Sequence, residues 1–156
     1  MRPAFAFAAA LVLASAAACG GGDGGLVTAT VVVSDGEGQR AELTVELART
    51  PAERSRGLSL RNELPEDGGM LFVYPEETES AFWMKDTFIP LSIAFIAEGG
   101  AILDIQAMEP LSAELHRPPG PFRYGLEVNQ GWFGRNGFEV GDRVDVPEAV
   151  AAAAGE

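Results

Sequence analysis

With 156 residues, 47% of them hydrophobic and 22% charged, the chain is long enough for one domain with flanks and apolar enough to bury a core, which excludes disorder as its main state. A formal net charge of −12, with no run of Lys and Arg, sets the protein against nucleic acid and anionic lipid headgroups as direct partners. Nineteen Gly and ten Pro, spread between short apolar runs, favour many strands and turns over long helices.

Residues 1–18 read as a secretory signal. Arg2 supplies the positive start, residues 4–13 form an apolar stretch too short for a comfortable permanent span, and small residues fill 14–18 up to Cys19. The run Ala16-Ala17-Ala18 before Cys19 resembles a bacterial lipobox, which implies cleavage before Cys19 and lipidation of its thiol. An ordinary signal peptide cut nearby, leaving a free thiol, is the competing reading. Cys19 is the only Cys, so no intramolecular disulfide can form. The Gly-rich residues 19–25 then act as a tether between lipid and fold. The expected location is the exported side of a bacterial envelope membrane, with that membrane as partner through the Cys19 anchor. Gly20 rather than Asp after the Cys resembles outer-membrane sorting, which implies the periplasmic face of an outer membrane where one exists.

The folded domain is expected over residues 26–147, followed by an Ala-rich tail at 148–156. Residues 26–33 are apolar and β-branched, 34–38 are turn formers, and Ala41, Leu43, Val45 and Leu47 alternate with polar neighbours, which predicts a β-hairpin. Thr50, Pro51 and Glu53 spell a capping box, so a short helix starts there and stops at Gly57. Residues 70–74 read as a central strand and 75–79 as an acidic turn; residues 82–84 should be strand, with Pro90 marking the start of another. Leu91, Ile93 and Phe95 alternate with small residues, and Glu98-Gly99-Gly100 turns the chain into a second hairpin. The Pro-rich residues 111–121 form a loop in which the only His, His116, is expected to be solvated. Tyr124, Leu126 and Val128 share one face of the next strand, and Glu127 and Asn129 the other. A tight turn or one helical turn over 131–137, a last strand over 141–146 and a frayed tail complete the chain. The expected fold class is all-β: a compact antiparallel sandwich or barrel of roughly eight to ten strands with one or two short helices.

Several spaced motifs agree with a known family. Arg56-Gly57-Leu58, Leu64-Pro65, Gly69-Met70-Leu71-Phe72, Phe82-Trp83-Met84-Lys85 with Thr87, Pro90-Leu91, and Glu127 with Gly131 and Gly141-Asp142 resemble the family called domain of unknown function 192. The resemblance covers roughly residues 27–146 and implies a compact β-rich fold, often exported, with no established activity. The family usually carries Asn where this chain has Asp86, and Asp where it has Ser92.

The chemistry-bearing residues concentrate in and around residues 82–91. Lys85 is the only Lys beside ten Arg, and with Asp86 it forms either an acid–base pair or an exposed ion pair. Trp83 and Trp132 offer either an aromatic wall or core packing. Glu127, opposite the apolar side of its strand, must find a partner if its strand is central, and Lys85, Arg56 or Arg135 can supply one. Trp83, Lys85, Asp86, Thr87, Glu127 and Asn129 are therefore expected to converge on one polar cleft in which Lys85 bridges the acids. No cofactor and no metal are expected: Cys19 and a single His make no zinc site, and Met70, Met84, Met108 and His116 lack the close spacing of a copper box. No catalytic residue can be assigned. Two function classes follow: a non-catalytic module that binds a small-molecule or envelope-polymer ligand or assists assembly, and a hydrolase acting on envelope glycan or peptide with Glu127 or Asp86 as acid–base group. A strongly raised carboxylate pKa in a pocket favours the second, and ordinary pKa values in a shallow aromatic groove favour the first.

Overall fold

The computed structural model describes residues 25–152; the signal segment and most of the tether, within residues 1–24, and the end of the tail, 153–156, lie outside the described residues. The elements are β1 (Thr28–Ser34), β2 (Arg40–Ala48), α1 (Pro51–Arg56), β3 (Gly68–Thr78), β4 (Leu91–Ile96), β5 (Ile102–Met108), β6 (Phe122–Asn129), α2 (Trp132–Arg135), β7 (Arg143–Asp145) and α3 (Glu148–Ala152). The fold is mostly β, a curled sheet of order β5-β4-β6-β3-β2-β1-β7. Among the described residues seven strands form rather than eight to ten, and three short helices rather than one or two.

The curl brings the two sheet edges together at one end. Ala101, just before β5, bridges Arg143 at the start of β7, and the Gly100 carbonyl accepts from the Val144 amide at 2.8 Å. The result is a half-barrel. Most pairings are antiparallel, but β2 and β3 run parallel, because the crossover through residues 49–67 is long enough to return the chain to the same end.

Two apolar layers cover the two faces. The alternation of β3 divides them: Leu71 and Val73 join the layer inside the curl with Val45, Leu126 and Trp132, whereas Met70 and Phe72 join the outer layer with Phe82, Met84, Ile93 and Phe95. The outer layer is roofed by α1 and by the segments around 82–89 and 110–116. Phe82 keys the roof to the sheet, with its ring 4.9 Å edge-on to Phe72 and 5.7 Å from Phe95.

The capping box at α1 forms as the sequence predicts. The Glu53 amide donates to Thr50 Oγ1 at 3.2 Å, and the Thr50 amide donates to Glu53 Oε2 at 2.8 Å. The Thr50 amide, and after it the Arg49 amide, which also donates to Glu53 Oε2 at 2.8 Å, hold the Glu53 carboxyl below its ordinary pKa. No residue of α1 is buried, so the cap and the Arg54 side chain, which donates to the Val73 carbonyl at 3.0 Å, hold the helix in place.

Two local expectations fail. β3 continues through the acidic residues to Thr78, because a register shift after Val73 lets Pro75 sit where no ladder donor is needed and Thr78 pair with Phe122. Residues 82–84 keep a strand-like alternation, Phe82 and Met84 inward and Trp83 outward, but form only an isolated bridge. Their backbone partners are His116 and Ser112 of the Pro-rich loop, not a sheet strand.

Candidate functional site

β6 lies between β3 and β4, and its Glu127 pairs in register with Met70 on one side and Ile93 on the other. Both neighbours are fully buried in the outer apolar layer, so the carboxyl stands in an apolar sheet face and is itself only 4% exposed. Among the described residues no ion pair or hydrogen bond reaches it; the ion pairs there are Arg40–Asp145 and Arg61–Glu46. Desolvation pushes its pKa from 4.5 up to about 8. At neutral pH the group is therefore largely a protonated acid, able to donate one hydrogen bond and accept others.

Above Glu127 opens a cleft of about 350 Å³ between α1, the outer face of β3 and the roof. Phe72, Tyr74 and Phe82 form apolar walls; Arg54 and Arg56 approach from α1, and Trp83, Lys85 and Thr87 from the roof. Arg54 sits 4.8 Å over the Tyr74 ring. Burial raises the Tyr74 pKa above its ordinary value; the Arg54 charge pulls it back, and the Glu127 charge adds a smaller upward push. Lys85 Nζ lies 5.6 Å from the centre of the Trp83 ring, a cation–π contact at the cleft border.

Of the six residues expected to converge, four do so: Trp83, Lys85, Thr87 and Glu127 all border this cleft. Asp86 does not line it. It has a left-handed backbone, φ 57°, in the turn closed by the Thr87 amide and the Met84 carbonyl, and its own carbonyl accepts from the Leu60 amide at 2.8 Å. Asp and Asn tolerate that conformation best among side-chain-bearing residues, which explains the residue type without recourse to chemistry. Asn129 is also elsewhere, its amide donating to the carbonyls of Leu64 at 3.3 Å and Pro65 at 2.9 Å to pin that loop. Ser92, the other departure from the family pattern, accepts from the Gly131 amide at 3.0 Å at the entry to α2.

Lys85 does not bridge acids: it is exposed and makes no ion pair among the described residues. Arg135 is engaged with the Gln130 carbonyl at 2.7 Å, so Glu127 is left without the cation the sequence reading asked for. Trp132 is no part of an aromatic wall. It is buried in the inner layer, stacked 5.9 Å from Phe138, with its indole N–H donating to Asp67 Oδ1 at 3.0 Å. His116 is buried rather than solvated, with Nδ1 3.2 Å from Gln106 Oε1. Sequence reasoning missed Tyr74 and Arg54. Tyr74 follows Met70 and Phe72 at strand spacing, which is the signal that would have found it.

Among the described residues no group of three or more His, Cys, Asp or Glu converges as a metal site would require. No helix there is long and apolar enough to cross a membrane.

Fold and cleft together define a small curled-sheet β protein with one buried acid beneath a ligand-sized opening. The chain belongs to the domain of unknown function 192 family, described as Uncharacterized ACR, whose model matches residues 31–146. It is similar to the crystal structure of a candidate transcription regulator from Sinorhizobium meliloti 1021, with 36% identity and a TM-score of 0.77 over 80% of this chain and 97% of that one. It is also similar to a protein of unknown function from Novosphingobium aromaticivorans DSM 12444, with 34% identity and a TM-score of 0.74 over 78% and 86% of the two chains. No curated protein matches the chain.

Proposed function

We propose that this protein is an exported bacterial lipoprotein, anchored through Cys19, whose cleft binds a small polar ligand at Glu127. The observation that carries the binding reading is the Glu127 carboxyl, which has no protein partner among the described residues and opens onto the base of a cleft. A buried polar group without a partner is destabilising, so its natural complement is a hydrogen-bonding ligand group. A protonated carboxyl matches a hydroxyl or amide rather than a bare cation. Trp83 adds a stacking face, and Lys85 and Arg56 at the border suit an anionic substituent. A hydroxyl-rich, negatively substituted fragment of envelope glycan has this chemistry. The lipobox-like run ending on Cys19 supports the location.

The raised Glu127 pKa favours a second reading, a hydrolase in which Glu127 acts as general acid. Glycan hydrolysis by paired carboxyl groups needs a second acid, and among the described residues Glu127 is the single acid bordering the cleft. Binding is therefore the better-supported function. The transcription-regulator description of the Sinorhizobium structure transfers poorly, because a net charge of −12 opposes contact with a phosphate backbone.

The test is ligand-observed NMR of the full chain against soluble envelope saccharide and peptide fragments, with Glu127→Leu as control. Binding to wild type that is lost in Glu127→Leu is expected. Equal binding by both proteins refutes the site, and release of a cleaved product establishes the hydrolase instead.

A further inference from the structure

Seven large hydrophobic residues are exposed among the described residues, and five of them, Leu60, Trp83, Phe88, Leu111 and Leu115, gather on three adjoining loops. Backbone bonds hold the loops side by side: the Leu60 amide donates to the Asp86 carbonyl at 2.8 Å, the Leu111 amide to the Thr87 carbonyl at 3.0 Å, and the Met84 amide to the Ser112 carbonyl at 3.1 Å. Among the described residues the three non-Gly residues with positive φ, Leu60 at 64°, Asp86 at 57° and Leu111 at 61°, all lie in this cluster. A left-handed Leu is strained, and at positions 60 and 111 the strain accompanies side chains 71% and 60% exposed to water rather than buried. A loop that only connected strands would carry Gly or Asn there.

The chain enters the fold beside this patch. Thr28, at the start of β1, pairs with Glu46, and Glu46 forms an ion pair with Arg61, the neighbour of Leu60. Val27, itself 52% exposed, precedes it, and its carbonyl accepts from the Leu47 amide at 2.8 Å. Fully extended, the six residues 20–25 span about 20 Å, so an acyl anchor on Cys19 confines this end of the domain to the neighbourhood of the bilayer.

We infer that the Leu60–Trp83–Phe88–Leu111–Leu115 surface docks the domain onto the interface of a zwitterionic lipid bilayer. The inference rests on the Cys19 anchor proposed above. Exposed Trp, Phe and Leu on loop tips suit the headgroup boundary, where an indole buries its rings and keeps its N–H wet. The net charge of −12 selects a zwitterionic over an anionic surface. Since Trp83 belongs to both the patch and the cleft border, docking faces the cleft mouth towards the membrane surface and restricts its ligands to groups presented there.

The two Trp residues make the test direct, because Trp83 is 52% exposed and Trp132 only 1%. The full protein, as isolated from its host membrane, is reconstituted into phosphatidylcholine vesicles with and without brominated acyl chains. Co-flotation and Trp emission are read together, with a Trp83→Phe variant assigning the two signals. Bromine quenching of Trp83 with Trp132 unaffected is expected. So is loss of that quenching in the Leu60→Asn, Leu111→Asn double variant, with co-flotation retained. These replacements suit the left-handed backbone, so folding is preserved. Co-flotation without Trp83 quenching overturns the docking and leaves the anchor standing. Failure to co-float overturns the anchor, and the docking with it.

Discussion

Replacing Glu127 with Gln removes the ionisation at the base of the cleft and keeps the shape of the side chain. The folded state holds the Glu127 proton up to about pH 8, whereas the unfolded chain releases it near the ordinary value of 4.5. Below pH 4.5 both states are protonated and the group imposes no ionisation cost. Between 4.5 and about 8 the unfolded state binds fewer protons, so stability falls as pH rises, and above about 8 the loss levels off. At about 1.4 kcal/mol per pKa unit, the loss reaches about 3 kcal/mol at pH 7 and about 5 kcal/mol on the plateau. These are ceilings, since a water molecule entering the cleft would solvate the anion. Glu127→Gln has no such dependence. Urea melts of both proteins at pH 5, 7 and 9 are expected to show the variant gaining on wild type at each step, by several kcal/mol in all. Profiles that stay parallel across this range refute the reasoning, because they mean that the carboxyl ionises as readily folded as unfolded.

Other substitutions probe the frame that holds the cleft. Lys85→Ala should change stability by no more than about 1 kcal/mol in a denaturant melt, since it removes one exposed cation–π contact; a loss of about 3–5 kcal/mol would restore the buried-bridge view. Gly125→Ala places a Cβ 2.7 Å from Phe82 Cζ, inside the aromatic cluster that keys the roof to the sheet. A loss of about 1–3 kcal/mol is expected by thermal unfolding, and an unchanged melt would show the roof to be loosely held. Thr50→Ala should cost about 1 kcal/mol through the lost cap of α1, measured in the same way; no effect would mean that the box does not hold the helix.

Where hydrophobic periodicity dominated, the fold was legible in advance. The β1–β2 and β4–β5 hairpins, the central β3 and the capped α1 all follow from alternation and turn chemistry that neighbouring elements reinforce. Residues 82–84 show the limit of that signal. Alternation records which side chains are buried, not whether the backbone finds a ladder, and here the inward face packs on a sheet whose edges lie elsewhere. The acidic run after Val73 was misread for the opposite reason: a bulge let strand pairing resume beyond Pro75.

For the site, the opposite-face position of Glu127 placed it beneath the roof, and the Trp83–Lys85–Thr87 spacing brought those residues to the same opening. Charge complementarity then misled. Pairing Glu127 with Lys85 assumed that a buried acid must find a cation, whereas this acid stays neutral instead, the cheaper course in an apolar face. Asp86 and Asn129 looked like chemistry because they are polar and near; a left-handed φ and two loop carbonyls account for them. Neither a backbone dihedral nor a partner 64 residues away in sequence is visible in a local pattern.

The most direct test of the account is the titration of the Glu127 side-chain carboxyl itself, followed by its ¹³C chemical shift in the folded protein and assigned with Glu127→Gln. A midpoint near 8 is the expected result, placing a protonated acid at the base of the cleft at neutral pH. A midpoint near 4.5 would mean that the carboxylate is solvated or paired, and the cleft would lose the feature on which the functional reading rests.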